Sequence, residues 1–158
     1  MKPPGPTAFG KQPPVPSRDY AVVTALFAGA LATFLFCRRR SSLPARIEIT
    51  DLILLGLATQ KLSRVATRSK VMMPLRAPFT KNPEAIGSGE VEETPRGTGL
   101  QKTIGELLTC PFCMATWISL ALMVGFSFEA RVTRFVAGIF AIGSVSDFAQ
   151  QGYCRLKE

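Results

Sequence analysis

Apolar residues in this chain come in long uninterrupted runs rather than in the short alternations of a soluble core. Residues 21–37, 107–128 and 135–145 contain no Asp, Glu, Lys or Arg. Runs of this length without a polar face predict membrane-spanning helices. Residues 20–37 would make a helix of about 27 Å, close to the thickness of a bilayer core. Arg38, Arg39 and Arg40 follow at once, and this placement reads as an uncleaved anchor rather than a signal peptide. Ala25, Ala28, Gly29 and Ala32 place small residues at helical spacing along it.

The pattern divides the rest of the chain as follows. Residues 1–19 are proline-rich and predict a disordered tail. Residues 47–68 predict a helix capped by Thr50 or Asp51, apolar at first and then basic on one face through Lys61, Arg64 and Arg68. It is either a short span or an amphipathic helix on the membrane surface. Residues 69–103 carry four prolines and four glycines with an acidic patch at Glu90, Glu92 and Glu93, and predict an irregular loop. Thr103 and Glu106 form a capping-box pattern. Residues 104–148 then predict a hairpin of spans reversing at 129–133, with Ala137, Ala141 and Ser144 as a small-residue packing stripe, and 149–158 a tail. The fold class expected is all-α, a small multi-pass helical membrane protein of three or four spans with a long irregular loop.

The net charge of +8 sharpens this picture. The basic residues lie in the connectors between apolar runs, where the positive-inside rule puts them, so nucleic acid is not the expected partner. Three-span and four-span arrangements both leave the central loop cytoplasmic. The expected partners are the lipid bilayer, a second copy of the chain or another membrane protein.

The chain has no histidine. This excludes Ser-His-Asp and Cys-His catalysis and the histidine-based metal sites of hydrolases and oxygenases. No other catalytic signature is present, so no enzyme is expected and no catalytic residue is assigned.

Three groups of side chains remain as candidate sites. Cys110-Pro-Phe-Cys113 has the spacing for metal chelation or a reversible disulfide, with Pro111 suited to the first position of a helix that Cys110 would cap. Zinc would need further ligands, from Cys154 or from a second copy. The same cysteines also suit plain packing at the membrane edge or acylation. Lys61, Arg64, Arg68 and Arg76 form a basic set for anionic lipid or a small anion. Glu106 and Asp147 lie beside spans where a charge is costly, and each is expected to pair with one of those cations; Trp117 belongs with them as a structural position.

The segments 51–59, 62–64, 74–80, 105–113 with Trp117, and 145–148 together resemble a bacterial domain-of-unknown-function (DUF) membrane family that includes a sporulation-associated YjcA-like protein. The combination of Pro-Leu-Arg-Ala-Pro-Phe with Gly-Glu-Leu-Leu-Thr-Cys-Pro-Phe-Cys carries the resemblance, which omits the first anchor and the proline-rich tail. It implies a small multi-pass protein with no established activity. The absent histidine, the many spans and the lack of a catalytic signature point to a non-enzymatic scaffold or partner-binding protein, with a setting in sporulation or the envelope. The alternatives are a membrane-edge thiol site and anion binding by the basic helix.

Overall fold

The computed structural model describes residues 17–39, 47–87 and 89–157. The expected disordered tail lies largely outside them, as does Arg40 of the arginine triplet. In chain order the elements are α1 (Ser17–Arg38), α2 (Ile49–Arg68), a 3-10 turn (Lys70–Met72), α3 (Met73–Arg76), β1 (Thr80–Gly87), β2 (Glu90–Pro95), α4 (Leu100–Thr109), α5 (Pro111–Phe128) and α6 (Ala130–Leu156). Three of these, over Arg18–Arg38, Pro111–Phe128 and Ala130–Leu156, are long and apolar enough to cross a membrane.

Helix direction follows from paired contacts. Asp51 meets Arg134 and Lys61 meets Asp147, so α2 runs parallel to α6. Phe27 meets Trp117 and Phe34 meets Phe128, so α1 runs parallel to α5. A single residue, Glu129, separates α5 from α6 and reverses the chain. The result is an up-down-up-down arrangement in which α2 lies lengthwise against α5 and α6. This helix, expected as a short span or a surface helix, packs along the bundle and is not among the three helices long and apolar enough to cross a membrane. Asp51 does not cap it, because α2 begins earlier, at Ile49. Its carboxylate instead accepts two hydrogen bonds from the Arg134 guanidinium at 2.7 and 2.8 Å.

Small residues sit between the helices and large ones point away from them. Ala58, Ala137 and Ser144 are fully buried, whereas Phe135 and Ile142 are more than 70% exposed. The predicted stripe Ala137, Ala141, Ser144 is therefore the face that α6 turns to α2, and it permits close backbone approach. Ser144 Oγ donates to the Leu57 carbonyl at 2.8 Å, and the Lys61 stem lies over Gly143. The apolar core is correspondingly thin, formed by Leu55, Ala58, Phe126 and Ala137 with Leu122, Met123 and Phe140 around it.

The expectation of an all-α chain with an irregular loop over 69–103 is corrected. That segment holds the 3-10 turn, α3 and an antiparallel two-stranded sheet, Thr80 opposite Pro95 and Glu84 opposite Glu92. Gly89, at φ 85°, supplies the left-handed position next to the turn. Two further boundaries differ. The helix expected to be capped at Thr103 starts four residues earlier, with Gly99 at the cap position and Thr103 buried inside α4. The tail expected at 149–158 is the last turns of α6, which continues to Leu156.

Candidate functional site

The hairpin is held against the end of the bundle by three ion pairs. Arg64 binds Glu90 through Nε and Nη2 at 2.6 and 3.0 Å, and Arg68 binds Glu92 at 2.7 Å. Arg76 binds Glu93 at 2.5 Å. The first two pairs match in register for a geometric reason. Four residues of helix rise about 6 Å, and two residues of strand rise about 6.6 Å. Glu93 points to the opposite face of β2, where it and Val91 are buried. Its partner Arg76 is 2% exposed and also donates to the carbonyls of Ala66 and Ser69 at 2.8 and 3.1 Å. The guanidinium thus closes the C-terminal end of α2, where carbonyls lack helical partners and a cation is favoured.

Lys61, Arg64, Arg68 and Arg76, expected as a basic set for lipid or anion and as partners for Glu106 and Asp147, each have a carboxylate partner, and Lys61 takes Asp147 at 2.7 Å as expected. Glu106 takes none of them. It accepts a hydrogen bond from the Tyr20 hydroxyl and lies 3.9 Å from Lys102. Trp117 packs edge-on against Phe27, with ring centres 5.3 Å apart. Glu106 and Trp117 are therefore two of the places where α1 attaches, alongside the Phe34–Phe128 contact.

The Arg64 guanidinium holds the Glu90 carboxyl below its ordinary value of 4.5, chiefly by its hydrogen bonds and against the effect of burial. A carboxyl whose folded value lies below its unfolded one stabilises the fold above the unfolded value and loses that stabilisation as pH falls through the folded one. Amide hydrogen exchange over residues 80–95 is therefore expected to stay slow from neutral pH down to about 5.5. It should become fast as the pH drops below 4.5 while α5 and α6 stay protected. Hairpin protection unchanged at pH 3, after correction for intrinsic exchange, would remove the pair's role.

Cys110 stands between α4 and α5. Pro111 occupies the first turn of α5, and Cys110 caps it, its sulfur accepting the Cys113 N–H at 3.3 Å. Burial raises the Cys110 pKa, but hydrogen bonds from the Cys113 thiol and from the Cys113 and Phe112 N–H groups outweigh it, with help from the Arg68 charge, so the net shift is downward. All four cysteines are free thiols. Cys154 does not join the pair: among the described residues no three His, Cys, Asp or Glu side chains are grouped to hold a metal ion. It lines instead a cleft of about 680 Å³ between α2, the hairpin and α6, together with Lys61, Arg64, Glu90, Asp147 and Arg155. Sequence reasoning missed Arg155 and the acidic side of the hairpin pairs. The one available signal was the spacing of Glu90 and Glu92 against Arg64 and Arg68.

A family model described as a protein of unknown function (DUF1360) matches residues 54–153. The sporulation protein YjcA of Bacillus subtilis (strain 168) is 38% identical over 69 residues, which are 42% of this chain and 58% of that relative. The match thus spans little more than half of the relative's length. No solved structure matches the chain.

Proposed function

We propose, from the premise that this chain belongs to the DUF1360 family of proteins of unknown function, that it is an integral membrane protein that presents a rigid polar head to a partner. The work is docking, not catalysis. One observation carries this reading: residues 69–109 fold into a head pinned by three arginine–glutamate pairs at one end of apolar helices. An ordered head in place of a loop offers a preorganised surface, which lowers the entropy cost of association. The outward-facing Phe135, Ile139 and Ile142 suit lipid and would be a liability in water. With α2 as a fourth span, the amino terminus, head and carboxyl terminus share one side, and the excess of basic residues makes that side cytoplasmic. The name of the Bacillus relative supports a setting in sporulation.

The test places a photocrosslinking residue at Glu84 on the hairpin, and at Ile139 on the lipid face, in native membranes. A discrete protein adduct from position 84, none from 139, and loss of the adduct when Arg76→Ala loosens the head are the expected results. Labelling of position 84 by an impermeant reagent on intact cells would overturn the orientation. Equal adducts from both positions would overturn docking through the head.

A second reading rests on the capping geometry of Cys110. The pair forms a membrane-edge dithiol that senses redox state. Oxidation would join the two sulfurs with loss of two protons and two electrons to an oxidant such as a disulfide. Alkylation at pH 7 is expected to modify Cys110 faster than Cys37 or Cys154. Equal rates, or no Cys110–Cys113 disulfide in a thiol–disulfide buffer, would leave these cysteines only a packing role.

A further inference from the structure

The cleft between α2, the hairpin and α6 has an unbalanced lining. Its cations are Lys61, Arg64 and Arg155, and its anions are Glu90 and Asp147. Two of the cations are paired within it, Lys61 to Asp147 and Arg64 to Glu90, and this leaves one positive charge in excess. The pairs do not exhaust the donors. Arg64 uses Nε and Nη2 on Glu90, so Nη1 has no hydrogen-bond partner among the described residues. The Lys61 ammonium gives one of its three donors to Asp147. Arg155 makes no ion pair among the described residues, and the Gln151 amide beside it no side-chain hydrogen bond.

Height along α6 says where this lining sits. Asp147 is about 26 Å from the start of the helix, and Arg155 about 38 Å, at 1.5 Å per residue. An apolar layer of about 30 Å therefore ends between the floor of the cleft and its mouth. Phe148, half-exposed and two turns before Arg155 on the same stripe of the helix, continues the apolar surface to the cleft edge.

We propose that this cleft is a binding site for a phosphate group, held by Arg155 with the unused donors of Arg64 and Lys61. A tetrahedral oxyanion accepts from several directions at once, which suits a cleft lined by three cationic side chains from two helices. The same chemistry is offered by the headgroup of an anionic phospholipid lying along Phe148 and by phosphate from the cytoplasm. The site goes beyond the docking role and does not depend on it.

The test purifies the full chain in detergent, reconstitutes it in nanodiscs of phosphatidylcholine with a minority of phosphatidylglycerol, and counts retained lipids by native mass spectrometry. In parallel, inorganic phosphate is titrated into the detergent-solubilised protein. Arg155→Gln is compared with Lys157→Gln, which removes the same charge two residues away and outside the cleft. The expected result is preferential retention of phosphatidylglycerol that falls about tenfold in Arg155→Gln, as for loss of one charge-assisted contact, and holds in Lys157→Gln. Phosphate binding that depends on Arg155 without any lipid preference would equally support the site and assign its ligand to solution. Equal weakening by both variants, or no binding of either probe, would overturn it. Arg155 lies on the exposed last turn of α6 and Lys157 is the exposed residue that follows it, so neither change threatens the fold.

Discussion

Arg76→Ala is expected to destabilise the head by about 3–5 kcal/mol, the cost of removing one partner from a buried ion pair. Arg76 and Glu93 are 2% and 3% exposed in their side chains, so the carboxylate left behind would have neither water nor cation. The Ala66 carbonyl would lose its donor as well, and the Ser69 carbonyl would keep only the Met72 N–H. Arg76→Lys should recover little, because a point ammonium does not reach three acceptors that a planar fork reaches together. Arg76→Met with Glu93→Leu removes both charges and should restore most of the loss. Hydrogen exchange and limited proteolysis over residues 80–95 in detergent measure all three. A loss under about 1 kcal/mol for Arg76→Ala would mean that this pair does not hold the head.

Gly105→Ala should loosen the same head from the other side. A Cβ at position 105 would stand 2.5 Å from the Phe79 carbonyl oxygen and 3.2 Å from Pro95 Cα. Both are backbone atoms, and the Phe79 carbonyl already accepts the Arg96 N–H at 2.8 Å, so neither yields cheaply. Overpacking of this kind costs about 1–3 kcal/mol, against a gain of at most about 1 kcal/mol from alanine's better helix propensity. The comparison is Gly56→Ala in α2, where nothing lies within 4 Å and only the propensity gain remains. The expected outcome is a lower thermal midpoint for Gly105→Ala and an unchanged or higher one for Gly56→Ala. Equal midpoints would show that α4 does not press on the hairpin.

The apolar runs made α1, α5 and α6 legible in advance, because a helix without a polar face needs no knowledge of its neighbours. The Ala137, Ala141, Ser144 stripe was legible for the same reason: small residues at helical spacing mark a contact face whatever the partner. The Cys110 cap and Pro111 were legible too, since capping is local. The hairpin was not. A strand half-buried by apolar residues would alternate visibly, but the inward positions of β2 are Val91 and Glu93, and a buried glutamate reads as an exposed one until its cation is found. Arg76 lies 17 residues away from it, outside the reach of any local pattern.

Composition alone marked which stretches are apolar enough to seek lipid, where the chain turns between α5 and α6, and which connectors carry the basic residues. These follow from local composition and from free energies of transfer that each segment carries alone. Packing settled that α2 lies along the bundle, that its arginines pair with glutamates of the hairpin, and that Cys154 lines a cleft away from the Cys110–Cys113 pair. Those outcomes depend on which charges meet once helices have packed, and a charge has no preferred partner until the fold brings one within reach.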